Sequence, residues 1–174
     1  MGNSTTFDIE LNTDGKTFIC FEYSKNCVFS NRYLSSFTIR NRKFNCSEQY
    51  FMFAKAQRFK DGDAAKAILQ ESNPIKQKEI GRSIKNFNKP IWDRESYKFM
   101  KRAVQAKFSQ NAELRPILLS TNDATLVGCA SRDVIWGIGC EITNPTRLDK
   151  KSWKGQNRLG QALMEVRSLM CNRT

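Results

Sequence analysis

Ser47-Glu48-Gln49-Tyr50-Phe51-Met52-Phe53-Ala54-Lys55-Ala56-Gln57-Arg58-Phe59-Lys60 reads as a helix. Ser47 is the expected N-cap, and Glu48 in the first turn suits the positive end of the helix dipole. Asp61-Gly62-Asp63 breaks this helix and caps a second over 64–71. Ser72-Asn73-Pro74 repeats the signal, with Pro74 at the first helical position. A long amphipathic pattern runs from Asp93, read as its N-cap, to Ser109. Tyr97, Met100, Val104 and Phe108 form its apolar stripe. A short helix follows over 112–119. The last helix runs from about Gln156 to Met170, burying Leu159, Leu163, Val166 and Met170.

Strands flank this helical block. Residues 16–23 (KTFICFEY) are β-rich, 37–44 (FTIRNRKF) read as a hairpin with Asn41 near its turn, and 125–130 (TLVGCA) form a further strand. Residues 1–15 are polar and read as a loose lead-in. The expected class is α+β, mostly helical, with a few short strands in one domain over 16–174. A chain of 174 residues buries about two thirds of its unfolded surface, so it folds without disulfides or metal.

Composition narrows the chemistry. The six cysteines (20, 27, 46, 129, 140 and 171) form no CxxC pair and read as reduced thiols of a cytosolic or nuclear protein. The sequons at Asn3, Asn45 and Asn172 are then chance matches. Histidine is absent, which removes Ser-His and Cys-His dyads and the usual histidine-containing zinc sites. Acid–base work falls to Asp, Glu, Lys, Tyr or Cys, and neither metal nor cofactor is expected. The net charge of +12 suits either a soluble basic surface or attraction to phosphates. No stretch approaches the roughly 20 apolar residues of a membrane span. Met1-Gly2-Asn3-Ser4-Thr5-Thr6 fits the loose myristoylation pattern.

Several constellations offer chemistry. Glu48 and Lys55 are seven apart, and two helical turns take about 7.2 residues, so both project from nearly one side. Among Tyr50, Phe51, Phe53 and Ala54 their pKa values can shift; the bland alternative is a solvated helix face. Asp133 precedes Trp136-Gly137-Ile138-Gly139, where glycine amides can face phosphate and tryptophan can stack on a base. The alternative is a core tryptophan beside an ordinary turn. Trp153-Lys154-Gly155-Gln156-Asn157-Arg158-Leu159-Gly160 opens the last helix, as an anion site or as simple capping.

Taken in order, these segments resemble one family. Phe29-Ser30-Asn31 resembles its FSN signature, and Glu48 to Ala56 is similar to its EHYFMxxKA helix. Asp133-x-x-Trp136-Gly137-x-Gly139, Trp153-x-Gly155-x-Asn157-x-Leu159-Gly160 and Met164-x-x-Arg167 resemble its remaining motifs. The chain is identified on this ordered set as a member of the NADAR, or YbiA-like, family. One departure stands at Gln49, where members often carry His; if that His moves protons, this chain is slower or uses another group.

The resemblance implies a compact, α-rich fold and hydrolysis of a ribosyl N-glycosidic bond. Its substrates would be ADP-ribosylated guanine, in a nucleotide or nucleic acid, or a ribosylated pyrimidine phosphate of the early riboflavin pathway. A non-catalytic module binding ADP-ribose or nucleic acid is the rival reading. The expected catalytic residues are Glu48, Lys55 and Asp133. Phe29, Ser30, Asn31, Trp92, Trp136, Gly137, Asn157 and Gly160 are the expected substrate contacts.

Overall fold

The computed structural model describes residues 7–12 and 14–172. Met1 to Thr6, with the acylation pattern, lie outside the described residues. In chain order the elements are β1 (Phe7–Leu11), β2 (Thr17–Glu22), β3 (Phe37–Ile39), β4 (Arg42–Phe44), α1 (Ser47–Arg58), α2 (Gly62–Gln70), α3 (Pro74–Arg82), α4 (Lys89–Gln110), α5 (Leu114–Leu119), β5 (Thr125–Cys129) and α6 (Arg158–Cys171). The class is α+β and mostly helical, as expected. Contacts gather in two units, one of residues 1–33 with 113–174, the other of residues 34–112.

The first unit is built on the sheet β1-β2-β5. β1 runs antiparallel to β2, and β5 runs parallel to it with Cys20 opposite Val127. β2 is central, so Phe18, Ile19, Cys20 and Phe21 are all buried, as a strand covered on both faces requires. Phe18, Cys20, Val127, Cys129 and Ile138 form one core cluster. α6 packs on β5 and α5, and Leu159, Leu163, Val166 and Met170, the face read from the sequence, are buried. The polar lead-in departs from expectation, because its residues 7–11 form β1. β1 is the outer arm of an antiparallel hairpin with β2, Leu11 opposite Thr17, and it leaves Ile9 and Leu11 exposed.

The second unit centres on α1, which packs against α2, α3 and α4. β3 and β4 form the expected hairpin. Arg40 and Asn41 both have positive φ, of 50° and 60°, the geometry of a two-residue hairpin turn. Two starts differ from the sequence reading. Cys46, not Ser47, caps α1, accepting the Gln49 amide on its sulfur at 3.4 Å. α4 begins at Lys89 with Asn88 as cap and Pro90 in its first turn, so Asp93 lies inside the helix and accepts from Lys89 Nζ at 2.6 Å.

Candidate active site

Glu48 and Lys55 are both buried, at 5% and 9% exposure, so the solvated-face alternative does not hold. α3 supplies part of the cover. Lys55 Nζ donates to the Gly81 carbonyl at 2.7 Å and lies 4.2 Å from the centre of the Phe87 ring. Burial pushes the Lys55 pKa down, and the Arg82 charge adds to the shift. Gly81 makes a close approach to α1: a Cβ there would meet Met52 Sδ at 2.0 Å and displace that side chain. Neither Gly81 nor Phe87 is flagged by the motifs, and a glycine inside a helical pattern is the one signal that points there.

Gln49, the departure from the family pattern, sits in a hydrogen-bond clamp. Its Oε1 accepts the Asn45 amide at 2.8 Å, and its Nε2 donates to the carbonyls of Ile68 and Glu71 at 3.0 and 3.1 Å. Gln77 completes the clamp, donating to Asn45 Oδ1 at 3.1 Å and the Glu71 carbonyl at 2.7 Å. Cys46 donates to Gln77 Oε1 at 3.3 Å; burial pushes its pKa up to about 12, which keeps the thiol protonated as a donor. Gln49 therefore ties the start of α1 to the end of α2, a task that asks for a donor and an acceptor rather than a titrating group.

Trp92 is in the α4 core, 8% exposed. Its ring stacks on Phe99 at 5.6 Å and tilts against Phe51 at 5.0 Å, so protein rings already occupy its surroundings.

The first unit holds the remaining candidates. Phe29 is core, packed against Phe7 and Phe21 at 5.1 and 5.6 Å. Ser30 Oγ accepts the Arg32 amide at 3.1 Å, and Asn31 is buried beside it in sequence. Asp133 shapes the following turn: its Oδ1 accepts the amides of Ile135 and Trp136 at 3.1 and 2.8 Å. Trp136 is half-buried, with the Arg158 guanidinium 5.0 Å from its ring centre.

Two motifs distant in sequence meet here through a ladder of backbone bonds. The amides of Gly155, Gln156, Asn157, Arg158 and Leu159 donate to the carbonyls of Ile138, Val134, Gly137, Ile135 and Trp136, at 2.9 to 3.2 Å. The Arg158 and Leu159 amides at the start of α6 are thus bonded to protein carbonyls. The sequence readings there are an anion site or simple capping, and neither amide is left for the anion. Asn157 has a left-handed backbone and is 2% exposed; both ends of its side-chain amide bond to β5. Gly160 lies against the Leu126 carbonyl. Arg167 donates to Thr121 Oγ1 and the Ala124 carbonyl at 2.8 and 2.9 Å. The backbone ladder joins carbonyls 134–138 to the start of α6, and the Asn157 side chain joins that start to β5.

Among the described residues no group of three or more His, Cys, Asp or Glu could hold a metal ion, and no helix is long and apolar enough to cross a membrane.

A family model described as NADAR domain matches residues 17–171. Protein irg-1 of Caenorhabditis elegans is 38% identical, over 91% of this chain and 82% of its own. N-glycosidase R617 of Acanthamoeba polyphaga mimivirus is 38% identical, over 70% of this chain and 71% of its own. The NMR structure of the E. coli protein YbiA matches with a TM-score of 0.71 and 30% identity, covering 88% of this chain and 86% of that one. The YbiA sequence of E. coli strain K12 carries the name N-glycosidase.

Proposed function

The chain belongs to the NADAR domain family, and from that premise we propose that it is an N-glycosidase that releases ADP-ribose from guanine, in a nucleotide or in nucleic acid. The hydrolase class is supported by the relatives named N-glycosidase. The observation that carries the reading is Lys55: an amine buried on the helix of the EQYFMFAKA motif, with its pKa lowered. The net charge of +12 supports a phosphate-bearing substrate.

The chemistry follows from those groups. Breaking the bond between the ribose anomeric carbon and the base nitrogen builds positive charge on the sugar, as in other glycoside cleavage. Glu48 and Asp133 are the carboxylates assigned to stabilise that charge and to take a proton from water. The neutral Lys55 amine attacks the anomeric carbon as the base leaves with a proton on its nitrogen. The ring C–O bond then opens to an imine. Water adds across the imine, returning the free amine and ADP-ribose. Trp136 stacks on the base; Phe29, Ser30 and Asn31 shape the sugar side. Gly137 and Gly160 lie in the turn and helix start that Asn157 ties to β5, and Trp92 packs against Phe51 within the second unit.

The test is a substrate panel: ADP-ribosylated guanosine, ADP-ribosylated DNA, a ribosylaminopyrimidine phosphate and NAD, read by mass spectrometry. Free guanosine or unmodified DNA, together with ADP-ribose and lost with Glu48→Ala, supports the proposal. Cleavage of the ribosylaminopyrimidine alone moves the enzyme to the riboflavin theme. Tight binding with no product over a long incubation makes it a binding module.

A further inference from the structure

Phe53 and Gln57 follow Glu48 by five and nine positions, which turns them roughly 140° and 180° around α1 at about 100° per residue. They face away from Lys55. There they line a cavity of about 390 Å³ together with Arg40 and Arg42 of the hairpin, Arg58 of α1, and Phe99 and Arg102 of α4. Among the described residues its lining includes four arginines and no carboxylate. Glu95 accepts from Arg58 at 2.7 Å and so fixes that guanidinium. Arg42 lies 4.8 Å from the centre of the Phe53 ring, while Arg40, Arg42 and Arg102 are exposed.

The charge is not shared evenly along the chain. Residues 34–112 carry 17 Lys and Arg against 7 Asp and Glu, a net +10 of the total +12.

We propose that this cavity is a second site, separate from Glu48 and Lys55, that holds a phosphate-bearing nucleotide unit supplied by single-stranded nucleic acid. Guanidinium forks match phosphate oxygens, and the Arg42–Phe53 pair offers a flat surface to a base. The volume falls in the range of ligand pockets, about 300–1,000 Å³. A base paired and stacked in a duplex does not reach into such a concavity, whereas an unpaired one does. A net +10 over one unit suits a polyanion longer than a mononucleotide.

The probe is a fluorescein-labelled oligothymidylate, read by anisotropy over a salt series without turnover, so the outcome is independent of any glycosidase activity. Arg42→Glu with Arg102→Glu is compared with Lys66→Glu and Lys76→Glu, exposed positions outside the cavity with the same charge change. The cavity pair is expected to bind at least about tenfold more weakly and to flatten the log–log salt dependence by roughly 1.4. The control pair should stay within about threefold. Competition by AMP separates the sources. If AMP displaces the strand at comparable nucleotide concentration, a free nucleotide occupies the cavity; if it does not, the strand does. Equal losses in both pairs, a duplex bound as tightly as the strand, or no binding by the unsubstituted protein would overturn the proposal.

Discussion

Asn157 Nδ2 donates to the Leu126 carbonyl at 2.9 Å, and its Oδ1 accepts the Gly128 amide at 2.9 Å, so one side chain ties the start of α6 to the middle of β5. Asn157→Ala leaves two buried backbone groups without partners, each costing about 1–3 kcal/mol. Urea unfolding is expected to show a loss of about 2–4 kcal/mol with an unchanged m-value. Asn157→Gly, which suits the left-handed backbone, isolates the amide's share; a negligible loss in both would remove Asn157 from the framework.

Two glycines should respond to alanine with opposite signs. A Cβ on Gly160 would sit 2.1 Å from the Leu126 carbonyl oxygen, whereas one on Gly62, at the start of α2, meets nothing within 4 Å. Gly160→Ala is expected to destabilise by at least about 1–3 kcal/mol. Gly62→Ala should stabilise by about 0.4–1 kcal/mol by restricting the unfolded chain. Melting temperatures of the two variants decide the matter.

Acid should act on the α1–α4 pair. The Arg58 guanidinium holds the Glu95 carboxyl down at about 2, from 4.5. A depressed carboxylate contributes stability above its unfolded pKa and loses it as pH falls through the folded one. The contribution is therefore complete above about 4.5 and fades toward about 2. Urea midpoints taken across this window should fall less steeply in Glu95→Gln than in the unsubstituted protein. Parallel curves would mean that the pair is not formed in solution.

The legible parts of the fold share one property: their signal is local. The α6 stripe and the β3–β4 turn at Asn41 depend on neighbours a few residues away. β1 pairs with the next strand in the chain, and its alternating Phe7, Ile9 and Leu11 carry a signal that the polar reading of residues 1–15 did not use. α4 starts at the Asn88 cap with Pro90 in its first turn, a signal that the sequence reading, taking Asp93 as the cap, did not use. At the site, spacing put Glu48 and Lys55 on one face without saying what covers it. Part of that cover is Gly81, 26 residues downstream of Lys55. Residue type did not reveal the protein partners of the candidates: the Asn157 side chain bonds to β5, and Trp92 packs on the rings of Phe51 and Phe99.

Asp133→Asn separates charge from architecture. Asparagine retains the Oδ1 that accepts from Ile135 and Trp136, so the turn is expected to persist with an unchanged melting temperature. Removing the charge assigned to face the developing cation should lower turnover at least about tenfold, or roughly 1.4 kcal/mol in barrier. A sharp fall in melting temperature would make Asp133 structural only.

Lys55 carries the most specific claim. An ammonium buried against Gly81 and Phe87 is disfavoured relative to water, so the neutral amine appears at a lower pH than in a free lysine. Two consequences have the same sign. The unfolded chain binds the proton more tightly, so stability should rise with pH from the lowered folded pKa toward 10.5, and Lys55→Met should flatten that rise. Turnover through an amine nucleophile should rise over the same range, as the neutral form accumulates. Borohydride added during turnover reduces the imine and should leave a covalent sugar adduct on Lys55, located by peptide mass spectrometry. Lys55→Arg keeps the positive charge and cannot form the imine, so it should lose nearly all activity while still binding substrate. A phosphate-binding role predicts the reverse: no adduct, and substantial activity in the Arg variant with a raised KM. That pattern would take Lys55 out of the chemistry and leave Glu48 and Asp133 to carry it.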